Sequence, residues 1–381
     1  MPLTARPISP EAHLAWIANH GPVSFLQTPA WGRVKTDWRA ESVGVFDGGQ
    51  LCLAALMLLR PMPVIGAPLA YLPEVPLPTP LPDDAAPHHL RQMAVLDALA
   101  GYAASQRAFA VTAGPAVWWR RWTAPSVKAG LAGPAKRFAD LPPDQVNDSA
   151  QLLVEQLKVG GWRPPANHAG FAAGQPDYVF QLPLEGLSQD DVWAGLNQLW
   201  RRNVRKAERG GVEVRQGDLA DLPTFHRLYV ETAERDQFTP RPAAYFERMW
   251  REASAEAPDR IALYLAMNGE QALAATIAMR LPGHTWYVYG ASATAGRELR
   301  GSNAVQWAMV RDAIGRGDAV YDMRGIVDTL DPDGPQAGLI QFKVGTGGRA
   351  QQYVGEWTRV LRPAIHRAFQ LAMARRERGR K

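Results

Sequence analysis

The first half of the chain alternates between apolar runs and breaks rich in glycine or proline. Residues 40–59 are predicted to form two paired strands, because two apolar runs flank the turn Asp47-Gly48-Gly49. Prolines recur from 61 to 82, where they remove backbone donors and fix φ, so this stretch is predicted to be a loop. The other elements predicted in this half are helices at 90–106 and 150–157 and a buried strand at 109–112.

The best helical pattern begins near Ser188, a suitable N-cap residue with Asp191 three positions later. Apolar residues then recur every three or four positions and predict one buried face: Trp193, Leu196, Trp200, Val204 and Ala207. Gly210-Gly211 is predicted to end this helix. Another face carries Arg201, Arg205 and Arg209 with few acidic neighbours. Such a face is typical of a solvated surface, and its lack of acidic partners also makes it a candidate for nucleic-acid binding.

The second half continues as a mixture of strands and helices. Strands are predicted at 178–182, 212–214, 261–267, 272–280 and 286–289, and helices at 222–233, 243–253, 304–315 and after Pro363. Residues 164–176 have the composition of a linker. The first half gives a looser version of the same mixture. The pattern therefore predicts an α/β (α+β) architecture of two similar units, although no clean internal repeat is found in the sequence.

Composition narrows the class of protein. A chain of 381 residues with 46% hydrophobic content can form two or three domains with a sizeable core. Its net charge of +5 suits an anionic substrate or nucleic acid. Cys52 is the single cysteine, which excludes a disulfide framework and a cysteine-based metal site, and no metal is expected. The apolar run around Cys52 has the length of a strand and the N-terminus lacks a secretory pattern, so we expect a cytoplasmic protein without stable membrane insertion.

One short segment suggests chemistry. Phe342-Lys343 follows an apolar run and precedes glycines at 345, 347 and 348. A lysine beside glycines is most often an ordinary surface residue. The same arrangement can also hold an ammonium group in a partly dry cleft, where it interacts with negative charge more strongly than in water.

Several motifs follow one another along nearly the whole chain. They are residues 25–35 (FLQTPAWGRVK), 202–207 (RNVRKA), 235–238 (RDQF), 287–292 (YVYGAS), Gln306-Trp307, Tyr321-Asp322 and Phe342-Lys343. No single motif is specific, but their order and spacing together resemble the Fem family of aminoacyl-tRNA-dependent peptidyltransferases. That family builds the cross-bridges of bacterial peptidoglycan.

The resemblance implies a fold and a reaction. The fold would be two GNAT-like acyltransferase domains in tandem, covering 1–172 plus 356–381 and then 173–355, with the C-terminal helix packing back on the first. The enzyme would use no cofactor and would move an amino acid from aminoacyl-tRNA to the side-chain amine of the third stem-peptide residue. Its acceptor would be UDP-MurNAc-pentapeptide or the lipid-linked form, lipid II. A monomer is expected, cytoplasmic or peripheral at the inner face of the membrane.

The resemblance also assigns site residues. Lys35 and Arg241 match the clamp on the acceptor's diphosphate, a group well held by a point charge and a planar guanidinium on separate rigid elements. Substrate-binding positions in the same cleft are Thr239, Tyr245, Tyr287 and Tyr289. Because Thr239, Arg241 and Tyr245 are two and four residues apart where a loop enters a helix, all three can face one cavity.

Phe342 and Lys343 match the pair at the aminoacyl-tRNA end. There Lys343 would stabilise negative charge on the tetrahedral intermediate or on the departing ribose oxygen. No dedicated base is recognised, since His226, His284 and His366 lack recognisable partners in the sequence.

Two positions depart from the family pattern. An acidic residue usually precedes the proline after the first-domain strand, but here the sequence is Thr112-Ala113-Gly114-Pro115, so an acidic contact from that loop to the acceptor amine is missing. The usual arginine-glycine-proline turn after a tyrosine is replaced by residues 71–76 (YLPEVP). The long helical arm of some members is also absent, because few residues separate the helix at 243–253 from the strand at 261–267.

Two other functions are compatible with the sequence. An acyl-CoA-dependent N-acetyltransferase would need a pyrophosphate-binding loop that opens a helix, and residues 297–304 match that pattern poorly, with Asn303 where small residues are usual. A non-catalytic RNA-binding protein is suggested by residues 118–122 (WWRRW), where aromatic and cationic side chains alternate as in base-stacking surfaces.

Overall fold

The structure is a computed structural model that describes residues 3–62, 66–78, 88–164, 174–334 and 336–378. Most of the predicted linker at 164–176 lies outside these residues. The strands are β1 Thr4–Pro7, β2 Arg39–Asp47, β3 Gln50–Arg60, β4 Leu69–Val75, β5 Ala110–Pro115, β6 Trp118–Thr123, β7 Gln145–Val146, β8 Trp162–Arg163, β9 Tyr178–Pro183, β10 Glu213–Gly217, β11 Ile261–Asn268, β12 Gln271–Leu281, β13 His284–Ser292, β14 Val320–Ile326, β15 Arg349–Tyr353 and β16 Trp357–Val360.

Helices fill the connections between these strands. They are α1 Pro10–Asn19, α2 Pro29–Val34, α3 His88–Ser105, α4 Ala124–Ala132, α5 Asp148–Val159, α6 Gln189–Gly195, α7 Gln198–Arg209, α8 Leu222–Asp236, α9 Ala243–Glu256, α10 Gly301–Gly315, α11 Ala337–Val344 and α12 Pro363–Arg378. No helix within the described ranges combines the length and apolar character needed to cross a membrane.

The chain forms two compact units. The first consists of Met1–Arg120, Gln145–Asp177 and Gln352–Lys381, and the second of Arg121–Asp144 and Tyr178–Gln351. The expected boundaries therefore differ from the observed ones at residues 121–144, which belong to the second unit. The physical reason is aromatic packing, because the rings of Trp122 and Phe138 lie 5.2 Å apart and both are fully buried in that unit's core.

The two units repeat one strand order. In the first unit the sheet runs β1-β2-β3-β4-β5-β16-β8, and in the second the hydrogen-bonded strands run β10-β11-β12-β13-β14-β9-β15. Each begins with four antiparallel strands, and a helix, α3 or α10, then leads to a fifth strand parallel to the fourth. The predicted two similar units are thus present in the topology.

Several predicted elements are confirmed, two need correction, and a helix forms where no element was predicted. The hairpin at 40–59 forms as β2 and β3, with Asp47 opposite Gln50. The stretch from 61 to 82 contains β4, because residues 69–72 form an apolar run and six of the strand's seven positions are buried. The helix predicted from Ser188 is two helices, since Leu196 adopts extended backbone and Asn197 begins a new cap. The segment around Lys343 is the helix α11.

The C-terminal helix α12 belongs to the first unit, as predicted. Its Ile365 and Phe369 pack on a small cluster formed by Ala67, Leu69, Phe109 and Ala110. The Phe369 and Phe109 rings have centroids 5.1 Å apart. Burial of this apolar face holds the chain's last helix on the first unit's sheet.

Candidate active site

The side chain of Lys343 is buried in the second unit. It leaves α11 near the C-terminal end of that helix and is only 3% exposed. Its Nζ donates hydrogen bonds to three successive backbone carbonyls of β14: Met323 at 2.7 Å, Arg324 at 3.3 Å and Gly325 at 2.7 Å. An ammonium has three N–H donors, so this arrangement matches the protonated amine.

The charge state of Lys343 depends on opposing effects. Burial lowers the pKa of Lys343 to about 7, the carboxylate of Asp322 acts in the opposite direction, and Arg324 lowers it further. Three carbonyl acceptors favour the ammonium, which has three N–H donors, over the neutral amine, which has two. The Lys343 ammonium therefore lies where little solvent reaches it, and its N–H groups already donate to backbone carbonyls.

The carbonyls point at Lys343 because β14 is irregular at this point. The parallel pairing of β14 with β13 ends at Trp286 and Asp322, and the pairing with β9 shifts between Asp322 and Gly325. Arg324 has a φ of 61°, a left-handed conformation that is uncommon outside glycine. The sequence at 321–326 is that of a strand running into a loop, but it does not predict a left-handed residue at Arg324.

All three histidines for which the sequence shows no partner have neighbours in the structure. His284 stacks on Trp286 with ring centroids 3.8 Å apart, and its Nε2 lies 3.7 Å from Asp322 Oδ2. His226 Nε2 lies 3.0 Å from the carbonyl oxygen of Arg241, and the His366 ring lies beside Phe109. These contacts form through folding and leave no local signal in the sequence.

Phe342 connects α11 to α7. Its ring lies 4.7 Å from that of Trp200, and its carbonyl accepts a 2.7 Å hydrogen bond from Trp200 Nε1. The backbone N–H of Asn197, just before α7, donates to the Gly345 carbonyl at 2.9 Å. Phe342 therefore helps to fix α11, and with it Lys343, against the start of α7.

Gly345 makes this close approach possible. A Cβ at position 345 would lie 2.7 Å from Trp200 Nε1, nearer than real Cβ atoms approach other heavy atoms. We expect Gly345→Ala to reduce the free energy of unfolding by about 1 to 3 kcal/mol, the usual cost of overpacking. Urea unfolding measures this difference.

Gly338→Ala is the matched control, since a Cβ at this exposed position of α11 meets nothing within 4 Å. It should change stability by no more than about 1 kcal/mol, in the direction set by helix propensity. Equal effects of the two substitutions would contradict the proposed Trp200 contact.

The basic face predicted on the helix near Ser188 lies on α7. Arg202, Arg205 and Arg209 are exposed, and Arg201 is half-buried. These arginines, with Gln198 and Glu208, line a shallow cavity of about 600 Å³. Within the described residues none of the four arginines forms an ion pair with an acidic side chain. Trp200 of α7 contacts Phe342 of α11, so the helix that carries this basic surface packs against the helix that carries Lys343.

A second group of candidates meets in the second unit, where β13 lies beside α8 and α9. The Arg241 guanidinium lies 4.7 Å from the centre of the Tyr245 ring, a cation–π distance. The Tyr289 hydroxyl donates to the Tyr245 hydroxyl at 3.2 Å. Tyr229, which the sequence reading missed, packs edge-on to Tyr289 with centroids 6.0 Å apart. The structure thus brings Arg241, Tyr245 and Tyr289 together.

This group presents one cation among neutral hydroxyls. Burial and Tyr289 raise the pKa of Tyr245 above its ordinary value, so the phenol stays neutral. Thr239 lies exposed on the loop before α9, close in sequence to Arg241. A guanidinium supported by phenol hydroxyls is suited to binding phosphate oxygens.

Tyr287 does not share this group. The pairing of β13 with β12 shifts so that Tyr289 lies opposite Ile277 and Tyr287 opposite Ala278, and these two neighbours face opposite sides of the sheet. Tyr287 instead packs on the core cluster of the second unit, and burial raises its pKa to about 12. The bulge at Val288 breaks the two-residue period and separates Tyr287 from Tyr289, and the substrate-binding role of Tyr287 stays a prediction.

Lys35 lies in the first unit, at the C-cap of α2. Its Nζ is 4.5 Å from the centre of the Trp31 ring, which fixes the ammonium at the end of a short buried helix. Its predicted role in holding the acceptor's diphosphate stays a prediction.

The missing acidic residue near Gly114 has a substitute within the first unit. The Glu356 side chain lies where a Cβ at position 114 would meet its Cγ at 3.3 Å. Glu356 Oε1 accepts hydrogen bonds from the Tyr71 hydroxyl at 2.6 Å and from the Gln175 N–H at 3.1 Å. A carboxylate from a distant part of the chain therefore lies next to this loop, which has no acidic residue of its own.

The sequence features that suggested an acyl-CoA-dependent N-acetyltransferase or a non-catalytic RNA-binding protein have less support in the structure. In the loop before α10, the N–H groups of Leu299, Arg300 and Asn303 donate to the loop's own carbonyls at 2.9, 3.1 and 3.0 Å, which leaves them unavailable to a pyrophosphate. In the aromatic-basic segment, Trp122 is fully buried and donates its Nε1–H to the Leu141 carbonyl. It therefore cannot stack on a base.

Comparison with known structures defines the class of fold. A tandem GNAT protein from the clavulanic acid biosynthesis pathway aligns with a TM-score of 0.51 and 12% identity, covering 93% of this chain and 98% of that one. The crystal structure of FemX aligns with a TM-score of 0.74 and 19% identity, covering 96% of this chain and 99% of that one. The fold is that of two GNAT-like domains in tandem.

A profile of the FemAB family matches residues 8–267 and 260–374. The chain belongs to the FemAB family. Among curated relatives, the UDP-N-acetylmuramoylpentapeptide-lysine N(6)-alanyltransferase of Weissella viridescens is 31% identical over 168 residues, 44% of this chain and 48% of that protein. The aminoacyltransferase FemA of Staphylococcus aureus is 23% identical over 268 residues, 53% of this chain and 64% of that protein. The chain thus spans between about half and two thirds of these relatives.

Proposed function

We propose that this protein is an aminoacyltransferase that moves an amino acid from aminoacyl-tRNA to an amine of a peptidoglycan precursor. The observation that carries the proposal is the buried ammonium of Lys343 beside Phe342 in a chain of the FemAB family. The names of two relatives, an aminoacyltransferase and an alanyltransferase, support the same reaction class.

The reaction needs stabilisation of negative charge. The acceptor amine attacks the ester carbonyl carbon, a C–N bond forms, and the C–O bond to the terminal ribose breaks. The amine loses a proton and the ribose oxygen gains one. Lys343 supplies a fixed positive charge of low solvent exposure, where charge interactions exceed those in water. Because the N–H groups of Lys343 already donate to backbone carbonyls, we propose that its charge acts on the transition state through space. Direct hydrogen bonding to the substrate requires that the substrate displace the 3.3 Å bond to the Arg324 carbonyl.

The acceptor is proposed to be UDP-MurNAc-pentapeptide or lipid II. The Weissella relative's name gives the first of these, with the lysine N6 amine as the acceptor atom. Both molecules contain a diphosphate. Arg241, supported by Tyr245 and Tyr289, is proposed to offer a guanidinium to this diphosphate, and Lys35 of the first unit is a separate candidate to bind it.

The donor RNA is proposed to lie along α7. Side chains four residues apart share one face of a helix, so Arg201, Arg205 and Arg209 form a row. Such a row without acidic partners fits a phosphate backbone. Trp200 links this helix to Phe342, so RNA bound on α7 has a short path to Lys343.

The double variant Arg201→Gln/Arg205→Gln tests the RNA surface. We expect weaker tRNA binding and a slope of log K against log salt that is shallower by about 1.5, since each phosphate contact contributes roughly 0.7 to 0.9. Fluorescence anisotropy with labelled tRNA at several salt concentrations measures both quantities. Arg227→Gln/Arg251→Gln removes the same charge from exposed sites on α8 and α9 as a control. An identical loss in both double variants would place RNA elsewhere.

One assay tests the proposed reaction against the CoA alternative. Purified protein is incubated with UDP-MurNAc-pentapeptide and one of three donors: radiolabelled alanyl-tRNA, the same tRNA labelled only in its RNA, or labelled acetyl-CoA. The proposal predicts label on the peptide from alanyl-tRNA alone. Transfer from acetyl-CoA alone would support the acetyltransferase, and tRNA binding without any transfer would support an RNA-binding protein.

A parallel reaction with lipid II in detergent distinguishes the two acceptor forms. Modification of UDP-MurNAc-pentapeptide at a rate equal to or above that of lipid II would identify the soluble precursor as the substrate. The reverse ratio would identify the lipid-linked form.

A further inference from the structure

Asp322 is a buried carboxylate that neither the sequence motifs nor the proposed reaction gives a task. It is 1% exposed and stands at the point where β14 leaves both neighbouring strands. Its Oδ1 accepts a 2.6 Å hydrogen bond from the Arg324 N–H, and its Oδ2 accepts a 2.9 Å hydrogen bond from Gln181 Nε2. A buried carboxylate is costly unless it is satisfied and balances a nearby charge.

The Oδ1 bond acts on the backbone. It closes a turn over two residues, from Asp322 to Arg324, and Arg324 occupies the left-handed region at φ 61°. A left-handed residue that is not glycine costs free energy, so the surrounding contacts must hold it there. As a consequence of this turn, the carbonyls of Met323, Arg324 and Gly325 converge on one point, where Lys343 Nζ lies.

The charge of Asp322 acts on the same ammonium. Asp322 raises the pKa of Lys343 against the effect of burial, and the groups that face it on β14 are Asp322 and Arg324, with opposite signs. His284 on β13 faces Asp322 from the other side, its Nε2 3.7 Å from Oδ2. Burial acts to raise the pKa of Asp322, but the nearby His284 ring, the charge of Arg324 and the hydrogen bond from Gln181 outweigh it, so the pKa lies below its ordinary value and the carboxylate stays ionised.

We propose that Asp322 is the positioning residue for Lys343. Its carboxylate holds the β14 turn that directs three carbonyls toward the ammonium. Its negative charge compensates the buried positive charge of Lys343. Asp322 does not touch the substrates in this role. The expected effect of Asp322 on catalysis rests on the proposed function, whereas its effect on the position and charge state of Lys343 does not.

The direct test is the titration of the Lys343 side chain by NMR. The chain has seven lysines, so selective isotope labelling of lysine gives few signals, and the one lost in Lys343→Met is assigned to Lys343. In Asp322→Asn the Oδ1 acceptor remains and the charge is removed. We expect the pKa of Lys343 to fall by about 1 or more, the typical effect of a close opposite charge.

Arg324→Gly is the matched variant with the opposite expected sign. Glycine adopts a φ of 61° without strain and keeps the backbone groups, while the cationic side chain is removed. The pKa of Lys343 should therefore rise. A Lys343 pKa that is unchanged from wild type in both variants would overturn the proposal.

A double-mutant cycle covers the case in which Asp322→Asn folds poorly. If the carboxylate serves Lys343, replacing Asp322 by Asn should destabilise the Lys343→Met chain much less than the wild-type chain in urea unfolding. An Asp322→Asn chain that folds only together with Lys343→Met would be the strongest form of this coupling. Equal destabilisation in both backgrounds would assign Asp322 to the fold alone.

The pH dependence of activity provides the functional readout. If the ammonium form is required, the rate falls as pH rises through the Lys343 pKa, and Asp322→Asn moves this fall to lower pH. A purely structural role would lower the rate at every pH without moving the curve. A shifted NMR titration in a protein that transfers nothing from aminoacyl-tRNA would leave this inference standing and reject the proposed function.

Discussion

Replacing Lys343 by methionine is expected to lower the turnover number by about 100-fold or more, with little change in acceptor affinity. Methionine fills similar space but removes the only charge that α11 carries into the interior. The loss belongs to the transition state, because negative charge develops on the ester only as the amine attacks. Single-turnover transfer from aminoacyl-tRNA measures the rate, and calorimetric titration with UDP-MurNAc-pentapeptide measures acceptor binding.

Gln341→Met is a suitable control for that experiment. Gln341 is exposed on the same helix, so its replacement leaves the three carbonyl contacts of Lys343 in place. Urea unfolding of both variants separates chemistry from stability, since Lys343 also joins α11 to β14. A folded Lys343→Met protein with near-normal turnover would remove Lys343 from the mechanism.

Arg241→Ala is expected to weaken acceptor binding by roughly 10- to 100-fold, because a hydrogen bond to a charged group contributes about 1.5 to 3 kcal/mol. The turnover number at saturating acceptor should change little, since the diphosphate is remote from the reacting amine. Tyr245 and Tyr289 keep their mutual hydrogen bond in this variant, which confines the effect to the guanidinium. Calorimetric titration with UDP-MurNAc-pentapeptide gives the affinity.

Arg251→Ala is the comparison for Arg241→Ala. Arg251 is an exposed arginine of α9 that pairs only with Glu247 at 3.4 Å within the described residues, a surface contact of small energy. Its loss should leave acceptor affinity within about twofold of wild type. An unaltered titration for Arg241→Ala would place the diphosphate clamp on other residues.

Much of the fold follows from the sequence because local signals agree with it. The capping pair Ser188 and Asp191 forms a reciprocal cap at α6, as its spacing indicates. Gly210-Gly211 ends α7, and Asp47-Gly48-Gly49 makes the hairpin turn. The break between α6 and α7 at Leu196 could not be found in this way, since the apolar spacing continues across it.

The domain boundary depends on contacts between distant parts of the chain. Residues 121–144 join the second unit through Trp122 and Phe138, whose ring neighbour Tyr178 lies far along the sequence. Likewise, the repeated strand order of the two units is a property of pairing and not of residue identity. No sequence period marks it.

The candidate site was predictable in its residue types and only partly in its geometry. The approach of Arg241 to Tyr245 is foreseeable because both lie where a loop enters α9, close together in the sequence. The separation of Tyr287 from Tyr289 depends on a bulge, and the carbonyl cage around Lys343 depends on one left-handed residue, Arg324. The residues at the two irregularities, Val288 and Arg324, are themselves neither glycine nor proline, so a period-based prediction does not place them there.

The most direct measurement is tandem mass spectrometry of UDP-MurNAc-pentapeptide after incubation with the purified protein and alanyl-tRNA that carries isotope-labelled alanine. The expected product has one labelled alanyl group in amide linkage to the side-chain amine of the third stem-peptide residue, and it is strongly reduced with Lys343→Met. If neither UDP-MurNAc-pentapeptide nor lipid II is modified with any donor from a full set of aminoacyl-tRNAs, the assignment of this chain as an aminoacyltransferase is contradicted.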